Sequence, residues 1–369
     1  MATDGVVNYI PNRPALSPFF FLAPKRNHDF FNKGVYYFTY GRHALLSAFE
    51  IINLRPEENI IYPASICKTA TDPALEYTKD LRFYELNDNI KETPDKIETL
   101  IDKKTRIVVV VHYAGFPARI EVVRSLCKKH NVLLIEDCSM ALFSRHKDQL
   151  LGSFGDIAIF SFKKSLPIFE GAALVINNEH LPEPTNFGID NKKIDSQRRK
   201  WLQISKEAGA KFRKNQKPDR KFLLRELDKQ RDILGVYKNF PKYNPVSKEI
   251  LKRTNSKKVI ELRRRNYKYV LQNIDKTRFI PIYDPLPEGV CPMTFPVFTD
   301  DKKGIINQSF PKGIVLTEHW GKKIPGEVID NNRYPIANKI SRKGLSLPIH
   351  QSLKRKHLDF LTQTLNDTT

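Results

Sequence analysis

The stretch VLLIEDCSMALFSRHKDQLLGSFGDIAIFSFKKSLPIFEGAALVIN, Val132 to Asn177, decides the fold. Its first apolar run, Val132–Ile135, stops at Glu136 and Asp137. Its second, Ile157–Phe160, stops at Ser161 and Phe162 and runs into Lys163 and Lys164. Short, continuously apolar runs bounded by polar residues read as strands buried on both faces of a parallel sheet. In an open α/β sheet, ligands collect outside the carboxyl ends of the strands, where neighbouring side chains converge. An acid and a lysine delivered there from adjacent strands suit a cofactor with a pyridine ring, the carboxylate at its nitrogen and the amine at its aldehyde.

Outward from this stretch the alternation continues. From about Tyr36 to Asn177, short β-branched runs exchange with amphipathic ones, the pattern of successive βα units on a mainly parallel sheet. Strands are expected at Ile60–Tyr62, Leu81–Tyr84, Ile107–His112, Val132–Ile135, Ile157–Phe160 and Ala173–Ile176. Helices are expected at His43–Ile52, where Leu45, Leu46, Phe49 and Ile52 share a face, and at Ile120–Lys129, where Ile120, Val123 and Leu126 do. Pro94–Ile101 is a third, with Thr93 as N-cap.

After Asn178 the alternation fails. Pro182 and Pro184 lead into a long polar, basic stretch of helical composition, Ser196–Val236, punctuated by Pro241 and Pro245. Ser247–Ile274 is again helical in spacing; Phe279–Ile282, Thr294–Val297 and Ile314–Leu316 are strand-like; Leu353–Leu365 reads as a closing helix. The expected organisation is a large α/β domain over 1–238, with a basic helical insertion at about 190–238, and a smaller C-terminal α+β domain over 239–369.

Lys and Arg number 62 against 41 for Asp and Glu, a formal net charge of +21. Such a surface favours an anionic partner. About 26 of the basic residues fall between Asn191 and Val270, a span without aromatics arranged for base stacking, so it reads first as a solvated face and a nucleic-acid partner is not expected. Cys67, Cys127, Cys138 and Cys291 are scattered, with no paired spacing and no His at ligand distance, which indicates neither a zinc site nor a disulfide framework. A reduced, cytoplasmic setting is expected, without a secretory leader or a membrane span.

Further pieces point to the same sheet edge. Tyr40-Gly41-Arg42-His43-Ala44-Leu45 sets a glycine before an apolar helix, and backbone N–H groups at such a start bind phosphate. Tyr62-Pro63-Ala64-Ser65 closes one strand and Val111-His112-Tyr113-Ala114-Gly115-Phe116-Pro117 another. In this order, YGRHALLSAF, NIIYPASICKTATDPALEY, DKKTRIVVVVHYAGFPARIEVVRSLCKKHNVLLIEDCSMAL, GSFGDIAIFSF and RYPIANKISRKGLSLPIHQSL resemble the DegT/DnrJ/EryC1/StrS sugar aminotransferases, fold-type I enzymes that use pyridoxal 5′-phosphate. The series spans most of the chain except roughly Leu181 to Asn239.

The resemblance implies that Asp137 pairs with the pyridine nitrogen and that Ser161, with backbone at Gly41 and Arg42, holds the phosphate. His112 would contact the cofactor, although a histidine on an apolar strand end is also a common core residue. Most relatives carry two more residues between this serine-phenylalanine and the following glycine-rich turn. Counting forward from Phe162 therefore reaches Leu166, and counting back from Glu170-Gly171 reaches Lys164. Lys164 is the expected catalytic lysine and Lys163 the alternative; neither is the histidine of the family's sugar dehydratases.

The implied activity is transamination, with glutamate as donor and a keto group of a nucleotide-linked sugar as acceptor, for amino-sugar or surface polysaccharide synthesis by a homodimer. Met140 occupies a position where relatives often carry a glutamine. The segment that sends an asparagine to the partner subunit has no clear counterpart, Asn244 being the nearest. These departures motivate an alternative: a non-catalytic or regulatory protein of the same fold that binds an anionic partner through the basic insertion.

Overall fold

The apolar runs become strands, and the register between them places the site. The computed structural model describes residues 9–15, 18–26, 34–168, 170–185, 196, 203, 207, 243–318 and 333–368. In chain order the first half contains β1 (Val35–Phe38), α1 (Gly41–Ile52), β2 (Asn59–Pro63), α2 (Lys68–Thr71), β3 (Leu81–Tyr84), α3 (Pro94–Glu98), β4 (Thr105–Val111), α4 (Ile120–Lys129) and β5 (Leu133–Asp137). A short hairpin, β6 (Arg145–His146) and β7 (Gln149–Leu150), then leads to β8 (Ile157–Ser161) and β9 (Ala172–Ile176).

Seven of these strands form one sheet in the order β1-β9-β8-β5-β4-β2-β3. The pairs β2/β3, β2/β4, β4/β5 and β5/β8 are parallel; β9 runs antiparallel to both β8 and β1. Ile107 to Val110 are 0–1% exposed, so the central strand is covered on both faces and shows no apolar-polar alternation. The register sets Val111 beside Asp137 and Asp137 beside Ile159, then Ser161 beside Ala172 and Ala172 beside Phe38.

α1 buries Ala44, Leu45, Leu46, Ala48, Phe49 and Ile52 against this sheet. Burial of each large side chain contributes roughly 1.5–3 kcal/mol. The helix ends where Asn53 turns left-handed, φ 55°, and its N–H returns to Glu50 and Phe49, a conformation that asparagine tolerates. α4 spans the ten residues its periodicity implies, with Lys128 and Lys129 in the last turn where cations suit the helix end. Thr93 precedes α3 but makes no side-chain cap bond.

The second half builds its own core. α5 (Pro245–Arg253) and α6 (Ser256–Asn273) replace the single helical stretch expected over Ser247–Ile274. The break follows from two asparagines, since Asn244 caps α5 through Val246 N–H and Asn255 caps α6 through Lys258 N–H. β10 (Ile280–Pro281), β11 (Phe295–Phe298) and β12 (Gly344–Leu347) form an antiparallel sheet, joined by α7 (Lys302–Ser309), α8 (Pro335–Lys343) and α9 (Arg355–Asn366). Ile314–Leu316 forms no strand; Ile314 makes a single bridge with Ile10.

Phe116, just after β4, stacks on Tyr283 with ring centroids 3.9 Å apart, so the loop leaving the large sheet is embedded in the second core. The boundary near Asn239 and nearly all of the basic stretch at 190–238 lie outside the described residues. Among the described residues no helix is long and apolar enough to cross a membrane, and all four cysteines are free.

Candidate active site

Asp137 is the last residue of β5, half-buried, and its Oδ1 accepts the Ser139 N–H at 2.8 Å. Ser161 is the last residue of β8 and is 6% exposed. Both therefore stand at carboxyl ends of adjacent parallel strands, with Ser161 two positions beyond the residue that pairs with Asp137.

Immediately after Ser161 the chain makes one 3₁₀ turn, Phe162–Lys164, before the hairpin returns as β9. The turn is fixed at its strand side: Phe162 N–H donates to Gly171 O at 2.9 Å, and Gly171 N–H to Thr39 O at 2.8 Å. Lys163 and Lys164 are both half-buried, and Lys163 is thereby held next to Tyr40, in the segment that leads from β1 into α1. Gly41 and Arg42 are the first residues of α1, whose leading N–H groups have no intrahelical acceptor. A Cβ added to Gly41 would lie 3.9 Å from Ile159 Cγ2 and 4.0 Å from Ser139 Oγ, so the helix starts directly over the ends of β8 and β5.

Positive charge predominates here, against one buried carboxylate, Glu170. Lys163 Nζ lies 4.6 Å from the Tyr40 ring centroid, and the Arg42 guanidinium lies 5.9 Å from the same ring. Burial, followed by the cations of Arg13, Arg42 and Lys164, pushes the Lys163 amine down to about 7, with Glu170 opposing. His43, buried next to Tyr40, is pushed down to about 3 by burial and then by Arg42 and Lys163. Arg13 reaches this region on an N-terminal segment pinned by the Ile10–Ile314 bridge, by His350 Nε2 donating to Pro11 O at 2.9 Å, and by Asn12 Nδ2 donating to Thr317 Oγ1 at 3.2 Å. Cations gathered at a helix N-terminus, itself partially positive, are mutually unfavourable until an anion joins them.

His112 stands apart from this arrangement. Its Nδ1 accepts the Ala118 N–H at 3.0 Å, so Nε2 carries the proton and donates it to Glu136 Oε2 at 2.9 Å. Both ring nitrogens are spent in a fully buried pair. Glu136 also accepts from the N–H groups of Gly152 (2.9 Å), Phe154 (2.7 Å) and Gly155 (2.5 Å), fixing the glycine-bearing loop before β8. Cys138 lies close to both, yet His112 and Glu136 already spend the atoms that a metal would need on each other and on backbone N–H groups. Met140 is buried in the main core. Asn244, the nearest counterpart of a partner-facing asparagine, uses its Oδ1 as the N-cap of α5.

Sequence reading missed Tyr40, His43, Arg13 and the structural role of Glu136. Tyr40 and His43 flank the glycine at the start of α1, which was a signal. Arg13 lies far along the chain from the lysines and gave none.

An acid at one strand end, a hydroxyl and two lysines at the next, and a helix N-terminus amid cations can hold a phosphorylated pyridine between them. The fold is that of the pyridoxal-phosphate-dependent transferases of fold type I. The chain belongs to the DegT/DnrJ/EryC1/StrS aminotransferase family, whose model matches residues 33–215.

A UDP-4-amino-4,6-dideoxy-N-acetyl-beta-L-altrosamine transaminase of Campylobacter jejuni is 25% identical over 346 residues, covering 87% of this chain and 82% of that protein. A GDP-perosamine synthase of Escherichia coli O157:H7 is 32% identical over 145 residues, 38% of this chain and 40% of the relative. Among solved structures, a putative sugar aminotransferase Spr1654 of Streptococcus pneumoniae in its PMP form superposes with a TM-score of 0.72 at 15% identity, covering 98% of this chain and 99% of that one. Helicobacter pylori PseC, an aminotransferase of pseudoaminic acid biosynthesis, gives 0.64 at 20% identity, covering 90% and 86%.

Proposed function

We propose that the protein transfers an amino group, with glutamate as donor, to a keto carbon of a nucleotide-linked sugar, in a cytoplasmic route to an amino sugar of a surface polysaccharide. The observation that carries this reading is the register that sets Asp137 and Ser161 at adjacent strand ends beneath the cationic start of α1. The Campylobacter relative, similar over most of both chains, supports a sugar nucleotide as acceptor.

When bound, pyridoxal phosphate supplies an aldehyde that carries the amine and a ring that draws electrons from the bond being broken. Asp137 would hold a proton at the ring nitrogen, oriented by the Ser139 N–H. Ser161 and the first N–H groups of α1 would hold the phosphate, with Arg42 and Lys163 supplying charge. Lys164 Nζ would join the aldehyde and, once displaced, take up and return the proton at the substrate carbon. The excess of cations at the mouth of the site suits a second anion, the diphosphate of the acceptor. A homodimer fits the family, and the residue that a partner would contribute is open, because Asn244 is engaged in its own helix.

The absorption spectrum tests the reading. The protein as purified, or after addition of pyridoxal phosphate, is expected to show a visible band that shifts when glutamate is added. A protein that takes up no cofactor would sink it.

A further inference from the structure

Arg263, on α6, is 1% exposed, yet its guanidinium bonds only to neutral oxygens among the described residues. Nε donates to Gln351 Oε1 at 2.9 Å, Nη1 to Pro292 O at 3.2 Å and Met293 O at 2.7 Å, and Nη2 to Ser165 O at 2.9 Å. Gln351 Nε2 donates to the same Ser165 O at 3.1 Å. A buried cation without a counter-ion is expensive to keep, and only dense hydrogen bonding makes it tolerable. Its position shows what that bonding accomplishes.

Ser165 directly follows Lys164 and closes the 3₁₀ turn, its N–H donating to Phe162 O at 3.0 Å. The carbonyl at the exit of such a turn has no donor within the turn itself. The sheet holds the turn at its entry, through Phe162, Gly171 and Thr39. At its exit, Ser165 O is held by Arg263 and Gln351, two residues separated by 88 positions in sequence that both belong to the second half of the chain.

We infer that Arg263, with Gln351, is a positioning residue for the lysine turn: it fixes the Ser165–Leu166 peptide, one residue beyond Lys164, and makes the reach of that lysine depend on the packing of residues 292–293 and 351. The inference rests on the assignment of Lys164 as the lysine that joins the cofactor. A lysine must arrive at the reacting carbon within tenths of an ångström, and a turn anchored at one end only cannot hold it so.

The test compares Arg263→Lys, Arg263→Met and Gln351→Met with the parent, all as full-length chains. In cofactor-free protein, amide exchange over residues 162–168 and competitive acylation of Lys164, with Lys248 as an internal reference, are read by mass spectrometry. Removing one bond to Ser165 O is expected to speed local exchange roughly tenfold, the scale of a charge-assisted hydrogen bond, and to raise Lys164 labelling, while α1 and β5 stay protected. Arg263→Lys, which keeps a cation but fewer donors, should fall between parent and Arg263→Met. If Arg263→Met fails to fold, Gln351→Met carries the test, since Gln351 is only partly buried. Unchanged exchange and labelling around Lys164 in a folded Gln351→Met protein would overturn the inference. These readouts do not depend on which lysine holds the cofactor. Borohydride fixation in Lys164→Ala tests that assignment separately.

Discussion

His112 Nε2 donates to Glu136 Oε2 across 2.9 Å, with both side chains at 0% exposure. Successive residues of a strand face opposite ways, so this pair lies on the other side of β5 from Asp137. His112→Ala would leave the Glu136 carboxylate and the Ala118 N–H short of a partner in the core. Stability should fall by about 3–5 kcal/mol in urea unfolding, while the cofactor band per folded molecule stays the same. Loss of cofactor at unchanged stability would instead return His112 to the site.

Asp137→Asn separates charge from shape. The amide oxygen can still accept the Ser139 N–H, so the unfolding free energy should move by no more than about 1 kcal/mol. Transamination, measured as kcat/KM with any accepted keto sugar nucleotide, should fall by at least about 100-fold if the carboxylate holds the ring proton.

Lys163 and Lys164 should behave differently. Lys164→Ala is expected to lose the borohydride-fixed adduct and to lower kcat by about 100-fold or more, whereas Lys163→Met keeps the adduct and weakens cofactor binding. An adduct that persists in Lys164→Ala and disappears in Lys163→Met would reverse the two roles.

The Lys163 amine, held down to about 7, gives a pH signature. Above that value the folded protein has lost a proton that the unfolded chain keeps up to the ordinary lysine range, so this group makes the cofactor-free protein more stable as pH rises between the two. Bound phosphate should raise the amine's titration toward its ordinary value. The pH dependence of Lys163 acylation, with and without inorganic phosphate, reads this directly; identical curves would exclude Lys163 from the anion site.

Gly171 has φ +137°, and a Cβ there would meet Tyr243 Cε2 at 3.0 Å and Ile168 Cδ1 at 3.2 Å. Tyr243 in turn stacks on Tyr37 with centroids 5.4 Å apart. Gly171→Ala should therefore cost about 1–3 kcal/mol in thermal unfolding by straining the backbone and displacing that ring.

The strands and α4 were legible because their signals are local: unbroken β-branched runs for the buried strands, a 3.6-residue period for Ile120–Lys129. The strand-end positions of Asp137 and Ser161 were legible for the same reason, Ser161 being the first polar residue after its run and Asp137 the second, behind Glu136. Other features depend on contacts that no local pattern reports. Ser247–Ile274 looks continuous in spacing, and only the capping geometry of Asn255 divides it. His112 sits at a strand end that faces the site in sequence order, but its side chain is committed to Glu136 by the pleat. Arg13, 150 residues before Lys163, and Arg263, 98 residues after Ser165, reach the lysine turn from stretches of chain whose spacing carries no distance information.

The antiparallel pairing of β8 with β9 separates two lengths that could have been coupled. The distance from Asp137 to Ser161 is written into the parallel ladder of β5 and β8, while the lysine turn is a hairpin loop that closes on itself between Ser161 and Ala172. Residues can be lost from that loop without moving either the acid or the phosphate-side hydroxyl. A turn that the sequence resemblance reads as two residues short is thus an edit to a replaceable cassette, and longer loops grafted between Ser165 and Glu170 offer a direct way to retune the lysine without redesigning the sheet.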